Sequence, residues 1–476
     1  MTENETQPLI GVQLGAHSVF DEGVDHCLDL LQETAGVNAL FVYSHTYQGF
    51  AKERSPAALA PDHGVPVKDP SGRNTTRVWV EPHEKYYAGT ILRHKRLPGD
   101  EEYADRDVLA TLIEPARKRG MKLYARVLEG SGAALAAYLP NWLKALTVDC
   151  YGRINHHPCW NNPDYRNWWL GTVEDLFKSY PLDGFQWGAE RVGPLSHLVY
   201  NHRLGQNAPI CFCEHCQAKG RAEGISVERA RAGFRALHEY VGARRGGGER
   251  PVDGVQVGAL RILLRYPEIL AWEMLWRNSK EALAAQIYGA IKTISPDAQI
   301  GRHIDHQQST WDQIYRAAVS YGEIARYSDF IKPILYHDIA GPRIKHWHLG
   351  RMHEALWQEH SLAALLEAFY GVNGYDKTVE PGLDELDNTG LSPDYVYRET
   401  KRAVDGVAGQ VPIYAGIGLD VPWQGDHFPT DPDKLAQAVE RAFAAGAGGI
   451  VISREYDEMR LENLRAIGKA IRSHRG

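Results

Sequence analysis

Residues 182–194 read LDGFQWGAERVGP, a short apolar segment that ends in a glutamate, an arginine and a glycine-proline turn. A parallel strand buried on both faces is a nearly unbroken apolar run, and in a (β/α)8 barrel the polar residues beyond its C-terminal end line the active site. The stretch therefore predicts a barrel strand over 184–187. Glu190 becomes the first candidate for a catalytic residue.

The alternation of strand and helix patterns continues along the whole chain. Strands are predicted over 9–14, 38–43, 122–127, 184–187, 299–303, 330–335, 411–416 and 449–453. The principal helices are predicted over 21–34, 104–119, 165–180, 227–241, 270–294, 311–327, 362–370, 395–407, 431–445 and 461–472. Eight strands with helices between them predict an α/β fold, a TIM barrel with large insertions after strands 2, 4 and 6.

We predict one barrel domain over residues 1–476, with a loop insertion over 48–100 and a cysteine-containing insertion over 191–267. A doubly wound open sheet is the alternative fold. It receives no support, because no Gly-x-Gly-x-x-Gly pattern follows the first predicted strand.

Composition narrows the function class. The chain has 476 residues, 43% of them hydrophobic and 24% charged, which is typical of a globular protein with an ample core. The net charge of −7 and the lack of a long basic run argue against nucleic acid or an anionic membrane as partner. No secretory signal or membrane span is visible, so we expect a cytoplasmic protein. Its substrate would be a small molecule or an oligosaccharide. The sequence leaves open whether the chain forms a homo-oligomer.

Aromatic and histidine residues are frequent, with 12 Trp, 24 Tyr and 21 His. Aromatic rings pack on the apolar face of a sugar while neighbouring polar groups fix its hydroxyls. A large core filled with aromatic side chains would explain the same composition.

Polar side chains follow nearly every predicted strand, which favours a catalytic or binding barrel over a structural one. The expected substrate-binding residues are Gln13, His17, Tyr43, His45, Arg126, Gln186, Arg191, His303, Tyr336, His337, Trp423 and Arg454. Among them, Trp423 is expected to stack on a sugar ring.

Glycoside hydrolysis normally needs two carboxyl groups on either side of the scissile bond. Glu190 is the expected acid/base. Asp420, Glu455 and Asp305 compete as its partner. Asp420 lies in a glycine-loosened strand end beside Trp423, and Glu455 follows Arg454, which could hold it ionised or form a structural ion pair.

Four segments carry a family resemblance: CWNNPDYR at 159–166, DGFQWGAER at 183–191, CFCEHC at 211–216 and SREY at 453–456. The chain resembles the largely uncharacterised glycosyl hydrolase-type TIM barrels of bacterial carbohydrate gene clusters. This resemblance covers most of the barrel and implies the fold and sugar chemistry. Two departures from better-known clans are present. Ala189 stands where the large retaining clan has Asn, and Gly188 stands where retaining α-glycosidases have Asp.

Cys211, Cys213 and Cys216 form a Cys-x-Cys-x-x-Cys pattern dense enough for a structural zinc ion. His215 or a distant cysteine would be the fourth ligand. The alternative is that the three thiols are apolar anchors of the insertion. No cofactor is required by the leading interpretation.

Histidines support an alternative function. His303 and Asp305 share one face of an extended strand end, and His17, His45 and His337 follow other strands, so a divalent metal site is geometrically feasible. Such a metal would serve a sugar lyase, isomerase or epimerase. A third class, a non-catalytic carbohydrate-binding barrel, would bind sugar without turnover.

Overall fold

The computed structural model describes residues 7–47, 59–60, 62–69, 75–95, 101–130, 132–201, 208–424, 426–428 and 430–475. Much of the 48–100 insertion and residues 202–207 of the 191–267 insertion lie outside the described residues.

Eight parallel strands of the described chain form a barrel. They are β1 (Leu9–Leu14), β2 (Ala39–Thr46), β3 (Lys122–Leu128), β4 (Gly184–Trp187), β5 (Gln299–Ile304), β6 (Phe330–Pro333), β7 (Tyr414–Gly418) and β8 (Gly449–Ser453). Each strand except β6 pairs with its successor, and β8 also pairs with β1. Parallel bridges from Ile331 to Ile413 and from Ile334 to Gly416 join β6 to β7. The predicted TIM-barrel fold is confirmed.

Helices surround the barrel. The α-helices described are Ala16–Glu22, Val24–Ala35, Val108–Lys118, Pro163–Ser179, Pro194–Ser196, Glu214–Ala222, Val227–Arg245, Val255–Arg265, Glu268–Ile294, Gln313–Ala318, Tyr321–Ala325, His337–Arg343, Gly350–Ala355, Leu362–Asn373, Leu386–Thr389, Pro393–Val407, Pro432–Ala444 and Leu461–Arg475. Shorter 3-10 helices span Glu84–Tyr87, Glu101–Tyr103, Ala133–Ala137, Trp142–Ala145 and Tyr456–Glu458, and π-helical turns span His197–Asn201, Gln307–Trp311 and Ile344–Leu349. Small strands lie at Arg77–Val78, Leu146–Val148, Ile154–Pro158, Pro422–Trp423 and Asp426–His427.

Two predicted helices are wrong in extent. The helix expected over 21–34 is two helices, because Gly23 has a φ of 90° and separates them. The helix expected over 311–327 is also divided, since Val319 is extended and Ser320 starts a new helix as its N-cap with Glu323 in a capping box. Strand β7 lies later than predicted, at Tyr414–Gly418 instead of 411–416. Pro412, which has no N–H for the ladder, precedes its start.

The inside of the barrel is layered. An aromatic cluster fills its N-terminal half, where Phe41 stacks on Tyr124 at 4.7 Å and both rings meet the edge of Phe330. A side chain at position 301 would collide with the Phe330 ring, because a Cβ there would lie 1.9 Å from it. The N-terminal half is therefore a packed floor, and chemistry is confined to the C-terminal end of the strands.

A second hydrophobic cluster lies between β4 and β5. It contains Phe212, which stacks on Trp272 at 4.8 Å, together with Phe234 and the buried Cys159 and Cys216. This cluster supports the segment that follows Glu190. None of the described helices is both long and apolar enough to cross a membrane.

Candidate active site

Glu190 lies three residues beyond the end of β4, at the C-terminal face of the barrel. His303 on β5 places its Nε2 atom 3.2 Å from Oε1 of Glu190. Burial raises the pKa of the Glu190 carboxyl, but the His303 hydrogen bond and the charges of Arg126 and Arg343 outweigh it and hold the pKa at about 2. Glu190 is therefore an ionised carboxylate.

The His303 ring is neutral in this setting. Burial, together with the positive charges of Arg126 and Lys332, holds its pKa well below the usual range despite the neighbouring carboxylate of Glu190. A neutral ring that faces a carboxylate donates the Nε2–H, so His303 orients Glu190 as a hydrogen-bond donor.

The backbone on both sides of Glu190 is held by one lysine. Nζ of Lys280 donates to the carbonyl oxygen of Ala189 at 2.8 Å and to that of Arg191 at 3.3 Å, and it also contacts the Tyr315 hydroxyl at 2.9 Å. Lys280 belongs to the helix Glu268–Ile294 and is buried. Burial and the charge of Arg302 lower its pKa.

Glu190 opens into a cavity of about 600 Å³. The Glu190 side chain is 56% exposed there, although protein groups surround it. Of the described residues, those that line the cavity are Asn155, His156, His157, Glu190, Arg191, Val192, Pro194, His197, Ala208, Pro209, Ile210, Trp276, Gln307, Trp347 and Arg351, and Glu190 is the sole carboxylate among them. Eight of these fifteen residues are polar or charged, so the cavity offers many hydrogen-bonding groups beside its apolar walls.

Sequence reasoning found two of these lining residues, Glu190 and Arg191. It missed those from the Ile154–Pro158 hairpin, from residues 208–210 and from the Ile344–Leu349 turn. The adjacent histidines His156 and His157 were a usable signal. They follow no barrel strand, so the strand-end rule passed over them.

A polar layer lies above the aromatic floor. Arg126 donates to Oε1 of Gln186 at 2.7 Å and lies 5.1 Å from the Tyr43 ring centre. Gln13 reaches the same Gln186 oxygen at 3.5 Å. The structure thus brings together four predicted binding residues from β1 to β4, and they lie beneath Glu190.

Asp305 follows β5 and is buried, with 4% exposure. Its Oδ1 accepts the backbone N–H groups of Gln307 and Gln308 at 2.8 and 3.0 Å, whereas Oδ2 has no hydrogen-bond partner among the described residues. Burial and the Glu190 charge raise its pKa well above the ordinary value. A carboxyl of this kind is protonated at higher pH than Glu190.

The other two carboxylates lie elsewhere on the same face. Glu455 is buried after β8, and its charge acts on Tyr43 together with that of Glu190. Asp420 after β7 accepts the Arg460 N–H at 2.8 Å and the Asn463 side-chain amide at 2.9 Å. The Asp420 carboxylate therefore binds the start of the helix Leu461–Arg475.

Two predicted arginines are engaged with protein carboxylates. Arg191 pairs with Glu129 at 2.9 Å and its guanidinium lies 3.4 Å from the Trp160 ring centre. Arg454 pairs with Glu458 at 3.2 Å. Arg191 still lines the cavity, so its charge reaches the site.

The remaining predicted residues surround the site at varying distance. Tyr336 lies 5.8 Å from the guanidinium of Arg343, and Trp423 lies 5.5 Å from Trp347 at the cavity wall. His17 contacts Asp457 at 3.2 Å, and His45 contacts the Ser44 hydroxyl at 3.0 Å. The buried His337 does not line the cavity.

The strand-end histidines have separate neighbours. Among the described residues, groups of three or more His, Cys, Asp and Glu ligand atoms within 4.8 Å of one another occur twice, as four cysteines and as His17, Glu455 and Asp457. His303, Asp305, His45 and His337 belong to neither group.

The four-cysteine group joins Cys159 to Cys211, Cys213 and Cys216. The Sγ atoms of Cys213 and Cys216 each lie 3.4 Å from that of Cys159, close to the spacing of about 3.8 Å in a tetrahedral zinc-thiolate centre. Hydrogen bonds from the other three thiols lower the pKa of Cys213. His215 contacts Glu214 at 3.8 Å instead and is not in the group. The donor set fits zinc.

No protein-family model and no curated protein sequence matches this chain. Solved structures match it in fold. The β-galactosidase from the psychrophilic Marinomonas ef1 has a TM-score of 0.52 and 10% identity over 98% of this chain and 59% of its own. The β-galactosidase from the Antarctic haloarchaeon Halorubrum lacusprofundi has a TM-score of 0.50 and 14% identity over 98% and 57%.

The glycoside hydrolase domain of PgaB (BpsB) from Bordetella bronchiseptica has a TM-score of 0.48 and 13% identity over 99% of this chain and 98% of its own. The chain spans 57–59% of the length of the two β-galactosidases. At these identities the likeness to the two enzymes is a likeness of barrel fold.

Proposed function

We propose that this protein is a glycoside hydrolase and that Glu190 is its ionised catalytic carboxylate. The observation that carries the proposal is the Glu190 carboxylate itself. It stands at the C-terminal end of β4, opens into a cavity of about 600 Å³ and is oriented by His303. Active sites of TIM-barrel enzymes lie at this face, and glycosidases place a carboxylate beside the anomeric carbon.

Asp305 is the proposed proton donor. Two carboxyl groups whose environments drive their pKa values apart divide the acid and base roles between them. The pKa of Glu190 is lowered and that of Asp305 is raised, in part by Glu190 itself. In the reaction the bond between the anomeric carbon and the leaving oxygen breaks, the Asp305 proton passes to that oxygen, and Glu190 faces the anomeric carbon as nucleophile or as base for water.

These roles differ from the sequence-based expectation, in which Glu190 was the acid/base. Here Asp305 donates the proton and Glu190 acts as nucleophile or base. A carboxyl with a pKa of about 2 is a poor proton donor near neutral pH, and an ionised one is a good nucleophile or base. Glu455 and Asp420 remain the alternatives for the second carboxyl group.

The proposal is tested by hydrolysis of an aryl-glycoside panel by wild type and by Glu190→Gln, with and without a chelator. We expect Glu190→Gln to lower kcat by about 10³-fold without loss of fold. Glu367→Gln, at a site 74% exposed on the surface, is the matched control and should keep full activity. Unchanged turnover in Glu190→Gln would contradict the assignment.

We also propose a structural zinc ion held by Cys159, Cys211, Cys213 and Cys216. Four thiolates without a water position are the ligand set of a structural rather than a catalytic zinc site. The ion would tie the strand β4 insertion to the segment before the helix Pro163–Ser179, next to the cavity wall at residues 208–210.

A further inference from the structure

Three basic side chains, those of Arg126, Arg343 and Lys332, surround Glu190, and none forms an ion pair with a carboxylate of the described residues. Arg126 makes one hydrogen bond, to the Gln186 amide oxygen. Arg343 contacts Nδ1 of His306 at 3.2 Å, and its buried Nε has no partner among the described residues. Lys332 on β6 is fully buried, and its Nζ also lacks a partner there.

The ion pairs of the described residues include none between these three basic groups and a carboxylate. Glu190 is the carboxylate whose charge reaches all three. Glu190 therefore faces two arginines and the amine of Lys332, in contrast to the chain as a whole, which carries a net charge of −7. Buried cations without partners are costly, so this arrangement favours an additional anion.

The described lining of the cavity has more arginine than carboxylate side chains. It contains Arg191 and Arg351, against the one carboxylate of Glu190. Arg343 connects the cavity to the polar layer, because its guanidinium lies 5.1 Å from the ring centre of the lining residue Trp347. Arg343 is partly exposed and lies next to Trp347, although it is not itself a lining residue.

We infer that the site takes glycosides of acidic sugars, whose carboxylate or sulfate group is bound by Arg343 within the field of Arg126 and Lys332. The inference rests on the proposed function and names its substrate class. An arginine fork binds a planar carboxylate or a sulfate through two parallel hydrogen bonds, which a neutral hydroxymethyl group cannot accept with equal strength. A neutral sugar would leave the Arg343 guanidinium without an anionic partner.

Burial also lowers the pKa of Lys332, opposed by the Glu190 charge. An incoming anion would favour the protonated amine, so binding should be accompanied by proton uptake. This gives the acidic ligand a signature that a neutral sugar lacks.

The experiment is isothermal titration of the full-length protein with glucuronate, galacturonate and glucose 6-sulfate, and with glucose and galactose as neutral counterparts. We expect acidic sugars to bind about tenfold to a hundredfold more tightly, the range given by one charge-assisted hydrogen-bond pair. The carboxylate and sulfate arms decide which anion is preferred. Repetition in buffers of different ionisation enthalpy measures the proton uptake.

Arg343→Gln should remove the preference, and Arg343→Lys should keep part of it because the charge remains while the fork is lost. Arg221→Gln, at a surface arginine that is 58% exposed, should leave the preference intact. Equal binding of acidic and neutral sugars, or binding of neither class, would overturn the inference.

Failure of the inference is distinguishable from failure of the function. Turnover of neutral aryl glycosides that depends on Glu190, without any preference for acidic sugars in binding, overturns only the substrate class. Tight binding of acidic sugars without hydrolysis of any acidic glycoside overturns the hydrolase and leaves the anion site in place.

Discussion

Nζ of Lys280 lies 2.8 Å from the carbonyl oxygen of Ala189, the residue directly before Glu190. The same amine reaches the carbonyl of Arg191 on the other side, so the backbone that carries the Glu190 carboxylate is held at two points. Lys280 does not line the cavity. In the proposed reaction it is a positioning residue, which would act through the backbone of Glu190.

Lys280→Met should lower kcat of the proposed glycosidase activity by about a hundredfold with KM nearly unchanged, because a displaced carboxylate is costly to the transition state while the cavity wall is retained. The measurement is steady-state kinetics, with Lys280→Arg expected to restore part of kcat. Lys178→Met, at a lysine that is 44% exposed, is the control. If Lys280→Met lowered the melting temperature and left kcat unchanged, Lys280 would have a structural role only.

The proposed carboxyl pair predicts a one-sided pH profile. Glu190 must be ionised, and its pKa of about 2 places no acid limb in the accessible range. Asp305 must be protonated, and its pKa is raised by burial and by Glu190, so kcat/KM should be flat in mild acid and fall as the pH rises through that raised pKa. A profile with a steep acid limb and no basic limb would reverse the two roles.

Asp305→Asn isolates the proton donor. It should lower the rate by 10²- to 10⁴-fold on alkyl glycosides and remove the basic limb. Dinitrophenyl glycosides need no protonation of the leaving group, so the variant should cleave them at close to the wild-type rate. Glu455→Gln is the matched comparison. If it and not Asp305→Asn shows this leaving-group dependence, Glu455 is the donor.

The barrel could be predicted because its signal is local. Each strand is an apolar run bounded by helix patterns, and β1, β4 and β8 have the predicted bounds. The helix breaks at Gly23 and Ser320 depend on one residue each. The helical spacing of apolar residues continues across both positions, so the sequence predicted one helix where the structure has two. Glu190 could be found for the same reason, since it directly follows a strand.

The cavity could not be predicted from strand ends. Its wall comes from a hairpin at Ile154–Pro158 and from a π-helical turn at Ile344–Leu349, which the tertiary fold alone brings to Glu190. Lys280 escaped detection for a related reason. It lies within the long helix Glu268–Ile294, where a lysine is usually solvated, and its backbone partners are 89 and 91 residues away.

The sequence left the fourth ligand of the proposed zinc site open between His215 and a distant cysteine. In the structure Cys159 is the residue that lies with Cys211, Cys213 and Cys216. We expect about one zinc ion per chain by metal analysis of the purified protein. Cys159→Ser should lose the metal and lower the melting temperature, whereas His215→Ala and Cys27→Ser should retain it. Retention in Cys159→Ser with loss in His215→Ala would contradict the four-thiolate site.

Glu273 provides a stability test of the segment that follows Glu190. Its Oε2 accepts the Leu195 N–H at 2.8 Å, and its other oxygen lies so close to Gly193 that only glycine fits there. Burial raises the pKa of Glu273 from 4.5 to about 7, against the Leu195 hydrogen bond and with help from the Asp312 charge. The folded state therefore holds a proton that the unfolded chain releases above pH 4.5.

The stability contribution of this protonated carboxyl is complete below pH 4.5 and is lost as the pH rises through about 7. Glu273→Gln carries a neutral group at every pH. Between pH 4.5 and 8 the free energy of unfolding of wild type should consequently fall relative to that of the variant by up to about 3 kcal/mol. Urea unfolding of both proteins across this range measures the difference. Parallel curves would mean that Glu273 ionises in the folded protein as it does in the unfolded chain, and that the segment after Glu190 is held without a buried proton.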